Sequence, residues 1–264
     1  MVKIITTLTV ILIGFLAKGQ TTENRDIADF SKIKISNGIE LIYSDGASNS
    51  LHLESSNSEI LKNTITEVDA KTLNIYLTEG TTLAANETVK VYVSSDQINA
   101  ISAETKAKIT IENVLKTDNI DLRLASGATM TGMIQTSGKV KLYANTGTLF
   151  NGKIETNKFQ GKFSGNARIN LTGSAKKAWV TTSDNTLLSA RNFITEAVAL
   201  HADGKSVAMV YAGDDITLNI ASDATVTYIG SPKNINLNEE AEAIIKNKNV
   251  SLVYQHEIAM ETQK

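Results

Sequence analysis

From about residue 116 onward the apolar positions fall in short alternating triplets. They are Ile120/Leu122/Leu124, Val140/Leu142/Ala144, Phe159/Gly161/Phe163, Ala178/Val180/Thr182, Val198/Leu200/Ala202 and Ile216/Leu218/Ile220. A period of two puts each triplet on one face of a β-strand. A small polar pair follows each: Ser126-Gly127, Thr146-Gly147, Ser164-Gly165, Ser183-Asp184, Asp203-Gly204 and Ser222-Asp223. Their second members lie 20, 18, 19, 20 and 19 residues apart. After each pair the apolar row is expected to resume, at Met130, Phe150, Ile169, Leu187, Val207 and Val226. The unit is strand, tight turn, strand, turn, and no part of this region carries a helical period.

A period this even is the mark of stacked repeats. Hairpin folds alternate strand direction and give no reason for one turn pair to recur at one phase. Stacked corners do, and Gly and Asp tolerate the left-handed backbone that such corners need. The expected fold is therefore all-β, a single-stranded parallel β-helix of ~19-residue coils, each burying its triplet against its neighbours. Gly127, Gly147, Gly165 and Gly204 should then line one edge. An antiparallel β-sandwich is the alternative.

Upstream the alternation persists without the strict period. "FSKIKISNGIELIYSDGASNSLHLES" reads as strand, Asn-Gly turn, strand, Gly-containing loop, strand. Leu73/Ile75/Leu77 and Val89/Val91/Val93 supply two further inward faces. Residues 20–115 read as the irregular start and cap of the solenoid, 116–235 as its regular coils, and 236–264 as a closing segment with a polar tail. Residues 1–19 have the form of a signal peptide: a positive start, an apolar run from Ile4 to Leu16, and small residues at Ala17 and Gly19. Cleavage is expected before Gln20. The run is shorter than the ~20 residues of a spanning helix, and no later stretch is long or apolar enough to span a membrane.

Composition narrows the chemistry. The chain has 264 residues, 42% of them hydrophobic, and a net charge of -2. That balance argues against a nucleic-acid surface. It has no Cys, which excludes disulfides, thiolate metal sites and thiol catalysis. His52, His201 and His256 share no ligand spacing, so neither a metal nor another cofactor is expected. Asp184, Asp203, Asp214, Asp215 and Asp223 sit near the corners. Clustered acids serve polysaccharide cleavage, but Asp is also a favoured turn residue.

With the triplets turned inward, the residues between them form two outward rows. One is Asp121, Lys141, Gln160, Trp179, Ala199, Thr217; the next is Arg123, Tyr143, Lys162, Thr181, His201, Asn219. Coils stack ~4.8 Å apart, so one wall gathers Trp179, Tyr143, Lys162, His201 and Arg123. An aromatic beside hydrogen-bond donors suits a sugar or peptide ligand. The plainer reading is a surface ladder such as Asp121–Lys141, worth a few tenths of a kcal/mol. A register slip of one would bury Trp179.

The "FSKIKISNGIELIYSDG" opening, the "VKVYVSSDQINAISAE" segment, the Ser-Gly coils and "TVTYIGSP" at the close resemble the head GIN domain family of auto-transporter adhesins, common in Bacteroidetes. The resemblance covers about residues 30–240 and rests most on the Tyr-x-Gly-x-Pro at its end. It implies a right-handed parallel β-helix, export, and an adhesive role, with no catalytic residues to carry over. A self-transporting protein also needs a membrane barrel of many ~10-residue strands, and none follows here. The function expected is a non-catalytic surface or periplasmic binding module, with a glycan or a cell-envelope or surface protein as partner. A β-helix lyase or hydrolase would need a loop walling off an acid-lined groove, for which the even period leaves no room. A purely structural envelope component is the third reading.

Overall fold

The computed structural model describes residues 21–221 and 223–242. The expected signal peptide at 1–19 with its cleavage site before Gln20, most of the 236–264 segment and Ser222 lie outside these. Nine elements come first: β1 (Thr21–Asn24), β2 (Lys32–Ile35), β3 (Glu40–Asp45), β4 (Ser50–Ser55), α1 (Ser58–Lys62), β5 (Thr64–Asp69), β6 (Thr72–Leu77), β7 (Val89–Ser95) and β8 (Ala100–Ala103). Five long strands follow: β9 (Lys108–Leu124), β10 (Thr129–Ala144), β11 (Leu149–Phe163), β12 (Arg168–Thr182) and β13 (Leu187–Ala202). Four short ones end the order: β14 (Val207–Tyr211), β15 (Asp215–Ile220), β16 (Thr225–Ile229) and β17 (Asn234–Leu237).

Each long strand serves two walls of the solenoid. The first part of β13 pairs with β14 and its last part with β15, both parallel. Threonines help to satisfy the backbone where the strands bend. The Thr156 hydroxyl donates to the Gly138 carbonyl at 3.2 Å, and the Thr195 hydroxyl donates to the Tyr211 carbonyl.

The register follows the triplets. Leu122, Leu142, Gly161, Val180, Leu200 and Leu218 are successive partners in parallel strands. All six are buried, and Ile120, Val140 and Phe159 run alongside in the same sense. The coils are thus a parallel β-helix, and the sandwich alternative falls. Gly161 interrupts the leucine column for a steric reason: a Cβ there would lie 2.6 Å from Phe163 and 3.0 Å from Phe159. Two rings fill the space that one aliphatic side chain fills elsewhere.

The corners stack, with one correction. Most are four-residue turns closed by a backbone bond from fourth residue to first, such as Ala128 N to Ala125 O at 3.1 Å and Thr186 N to Ser183 O at 3.2 Å. At four of them both central residues are left-handed, as in the hairpin-type I′ turn. They are Ser126-Gly127 and Thr146-Gly147, but then Gly165-Asn166 and Asp184-Asn185. Gly127 and Gly147 therefore hold the second central place, whereas Gly165 and Gly204 hold the first and stack on Thr146 and Asp184. The expected single line of glycines is split between two adjacent columns. For the same reason Leu187 and Val207 do not continue the apolar row. They are exposed, and Leu188 and Ala208 take the buried places between Ile169 and Val226.

Among the described residues, antiparallel pairing is confined to the N-terminal end. There β4 runs against β1 and β7, and β5 against β6, while β2 and β3 already pair in parallel with β8 and β9. The one-turn helix α1, capped by Asn57 accepting from Glu59 N, has no counterpart in the apolar pattern. Arg25 ties this end together. Its guanidinium donates to the carbonyls of Thr64 (2.6 Å) and Leu61 (3.0 Å) and to the Thr66 hydroxyl (2.9 Å).

Candidate functional site

The wall is built by the last parts of β9 to β13 together with β15. Inward triplets hold these strands flat against the core, so the residues between them must face solvent. Both expected rows are present in register. Asp121, Lys141, Gln160, Trp179, Ala199 and Thr217 are successive partners, as are Arg123, Tyr143, Lys162, Thr181, His201 and Asn219. Trp179 points outward and is 45% exposed. Lys162, His201 and Arg123 are exposed, and Tyr143 is half-buried. The register slip that would have buried Trp179 does not occur at this wall.

Two contacts organise the upper edge. The Arg123 guanidinium sits 4.6 Å from the Tyr143 ring centre, within cation–π range. It also pairs with Asp121 on its own strand at 3.1 Å. The ladder pair Asp121–Lys141 is not formed: Asp121 turns to Arg123, and its other oxygen is buried without a partner. Asp121 also lines a shallow cleft, with Asn99, Asn119, Ile120, Lys139 and Lys141. His201 lies two coils beyond Lys162, with Thr181 between them, so it borders the aromatic region and does not join it.

A third outward row escaped the sequence reading. Asn119, Lys139, Lys158, Lys177, Ala197 and Asp215 are also successive partners. Three lysines therefore stack on three consecutive coils, one position outside the rows drawn from within the triplets. The signal was available, because each lysine precedes the first residue of its triplet. On these coils the outward residues read Lys139, Lys141, Tyr143, then Lys158, Gln160, Lys162, then Lys177, Trp179, Thr181. The nine include five lysines and no acid.

The corner aspartates are engaged elsewhere. Asp184 is itself a left-handed turn residue, and Asp203 accepts from Gly204 N at 2.6 Å. Asp214 pairs with Lys233 at 3.0 Å, and Asp215 accepts from the Asn234 amide at 2.6 Å. At the opposite end His52 tilts against Tyr92 and lies 2.8 Å from the Asn24 side-chain oxygen. His256 is outside the described residues.

Residues 29–232 match the family described as "Putative auto-transporter adhesin, head GIN domain". The chain belongs to this family. Several solved structures share this fold. A putative adhesin from Bacteroides fragilis has 19% identity and a TM-score of 0.62, with 84% of this chain and 93% of that one covered. A putative adhesin from Parabacteroides distasonis has 17% identity and a TM-score of 0.68, over 83% and 97% of the two chains. A further Parabacteroides distasonis structure, described as a putative lipid binding protein, has 16% identity and a TM-score of 0.65, over 84% and 95%. At such identities the likeness is one of fold. No curated protein gives a significant match. Membership sets this head GIN chain among adhesion-type surface or exported proteins, and no helix among its described residues is long and apolar enough to cross a membrane.

Proposed function

We propose that this chain is an exported, non-catalytic binding module that holds a glycan or cell-envelope partner on the flat wall around Trp179. The observation that carries this reading is the placement of the only Trp of the chain, 45% exposed, at the centre of outward rows with Tyr143, Lys162 and Arg123. An aromatic of this size left in water on a rigid sheet offers a contact surface with little conformational entropy to lose. The nine outward residues around it include no carboxylate pair, which supports holding over cutting. Export rests on the leader at residues 1–19, with removal before Gln20 and final residence in the periplasm, on the outer surface or outside the cell.

The test uses protein recovered from its native host, its terminal mass checked for Gln20, on a glycan array. Trp179→Ala should abolish binding and leave unfolding within about 0.5 kcal/mol of the parent, as for other exposed sites. A ligand whose affinity ignores that substitution overturns the wall. An intact Met1 overturns cleavage.

A further inference from the structure

The lysine column is the feature of this wall that ordinary surface design does not account for. Lys139, Lys158 and Lys177 are direct partners on successive parallel strands. Like charges directly opposite each other across strands are destabilising, and at ~4.8 Å spacing they lie well inside a Debye length. Elsewhere the chain sets lysine against acid on neighbouring coils, as Lys108 with Glu40 at 2.7 Å and Lys233 with Asp214 at 3.0 Å. None of Lys139, Lys141, Lys158, Lys162 and Lys177 forms an ion pair among the described residues. Lysines also protect sheet edges from pairing, but β10, β11 and β12 are interior strands with partners on both sides. Edge protection therefore does not explain them.

We infer that the Lys139–Lys158–Lys177 column, with Lys141, Lys162 and Trp179 beside it, is a binding track for a linear acidic polysaccharide lying along the solenoid axis. The inference rests on the wall reading above and specifies its ligand. Charges repeated once per coil form a line that runs over three coils, with only a shallow cleft at its Lys139 end, which suits a polymer and not a small anion. Each contact is weak alone, and several in register on one chain multiply. Trp179 follows Lys177 by two residues on the same face of β12, so a ring stacked on the indole keeps its acidic group beside an ammonium.

Two other polyanions are less well matched. A nucleic-acid surface usually belongs to a strongly basic domain, whereas this chain has a net charge of -2 and a pI near 6.0. An anionic membrane calls for an apolar insertion. Trp179 is the single exposed large hydrophobic among the nine outward residues, and Leu149, Leu187 and Val207 sit past the corner.

The experiment measures binding of polygalacturonate, fully methyl-esterified polygalacturonate, heparin, poly(dT) and phosphatidylglycerol vesicles. It compares the leaderless chain, its Lys158→Glu/Lys177→Glu variant and Trp179→Ala, with folding of each checked by thermal melting. Expected is binding of polygalacturonate or heparin, reduced by about tenfold or more on charge reversal. It should also weaken as the Debye length shrinks from about 10 Å at 0.1 M salt to about 3 Å at 1 M. Binding of neither acidic glycan overturns the inference, as does tighter binding of poly(dT) or of the vesicles. Equal binding of the esterified polymer, lost only in Trp179→Ala, overturns the acidic ligand and leaves the wall standing. Binding untouched by either variant overturns both.

Discussion

The Tyr43 side chain is 1% exposed, and its hydroxyl reaches the Ser95 carbonyl at 2.5 Å. Burial, and then the charges of Asp45 and Asp96, push its pKa well above the ordinary phenol value near 10. The folded state thus holds this proton more tightly than the unfolded chain does. The stability this provides is complete below about pH 10 and is lost as pH rises from there through the folded value. Tyr43→Phe should cost about 1 kcal/mol at neutral pH through the lost hydrogen bond. It should also flatten the fall in stability between about pH 9 and about pH 11. Urea unfolding of both proteins across that range checks this, and equal slopes refute it. Some of the slope should remain, because Tyr76 and Tyr92 are also raised, each bonded to a glutamate nearer the surface. Gly230, in the family's Tyr-x-Gly-x-Pro, shows a different single-residue constraint. Its φ is +106°, and a Cβ there would run into the Ala212 carbonyl, so backbone packing at the last full coil requires glycine.

At the scale of the strand, what matters is which of two apolar neighbours faces the core. Leu200 is 2% exposed in the central column, and Leu200→Ala should cost about 2–5 kcal/mol as a cavity mutation. Val207 is 39% exposed just after the next corner, and Val207→Ala should fall within about 0.5 kcal/mol of the parent. Denaturant midpoints of the two variants test the register directly, and similar losses would refute it. The contrast also marks where the sequence was legible. The triplets before each turn could be read because strict alternation ends at a fixed phase, which placed Trp179, Tyr143, Lys162, Arg123 and His201 on one wall. The strands after each turn were harder. Ser164-Gly165-Asn166 and Ser183-Asp184-Asn185 each contain two overlapping pairs able to turn the chain, and the left-handed pair is the later one. Sliding by one residue sends Leu187 outward and Leu188 inward. With Leu-Leu at 187–188 and Val-Ala at 207–208, hydrophobicity alone could not choose. The lysine column was missed for a related reason, since it lies outside the triplets that defined the rows.

A stack of coils has two ends, and each must hide apolar surface and unpaired backbone that the middle coils hide in one another. Here the N-terminal end is closed by strands that run against the parallel stack. On β2 lies β6 and then the reversed β5, and on β3 lies β7, then the reversed β4, then β1. Reversed strands cannot nucleate another coil, and Arg25 fastens β1 to β5 and to the end of α1. This makes a testable claim about the whole molecule. A chain beginning at Lys108 would keep the repeats from β9 onward but lose β3 and β8, the partners of the two parts of β9. Ile109, Ile111 and Leu122, all now buried, would face solvent beside a long flat parallel edge, which is the arrangement that recruits further strands. The truncated chain should associate increasingly with concentration in light scattering, a dependence the intact chain lacks, while retaining a β-type circular dichroism spectrum. If it stays as dispersed as the intact chain, the antiparallel strands are not the cap that ends the solenoid.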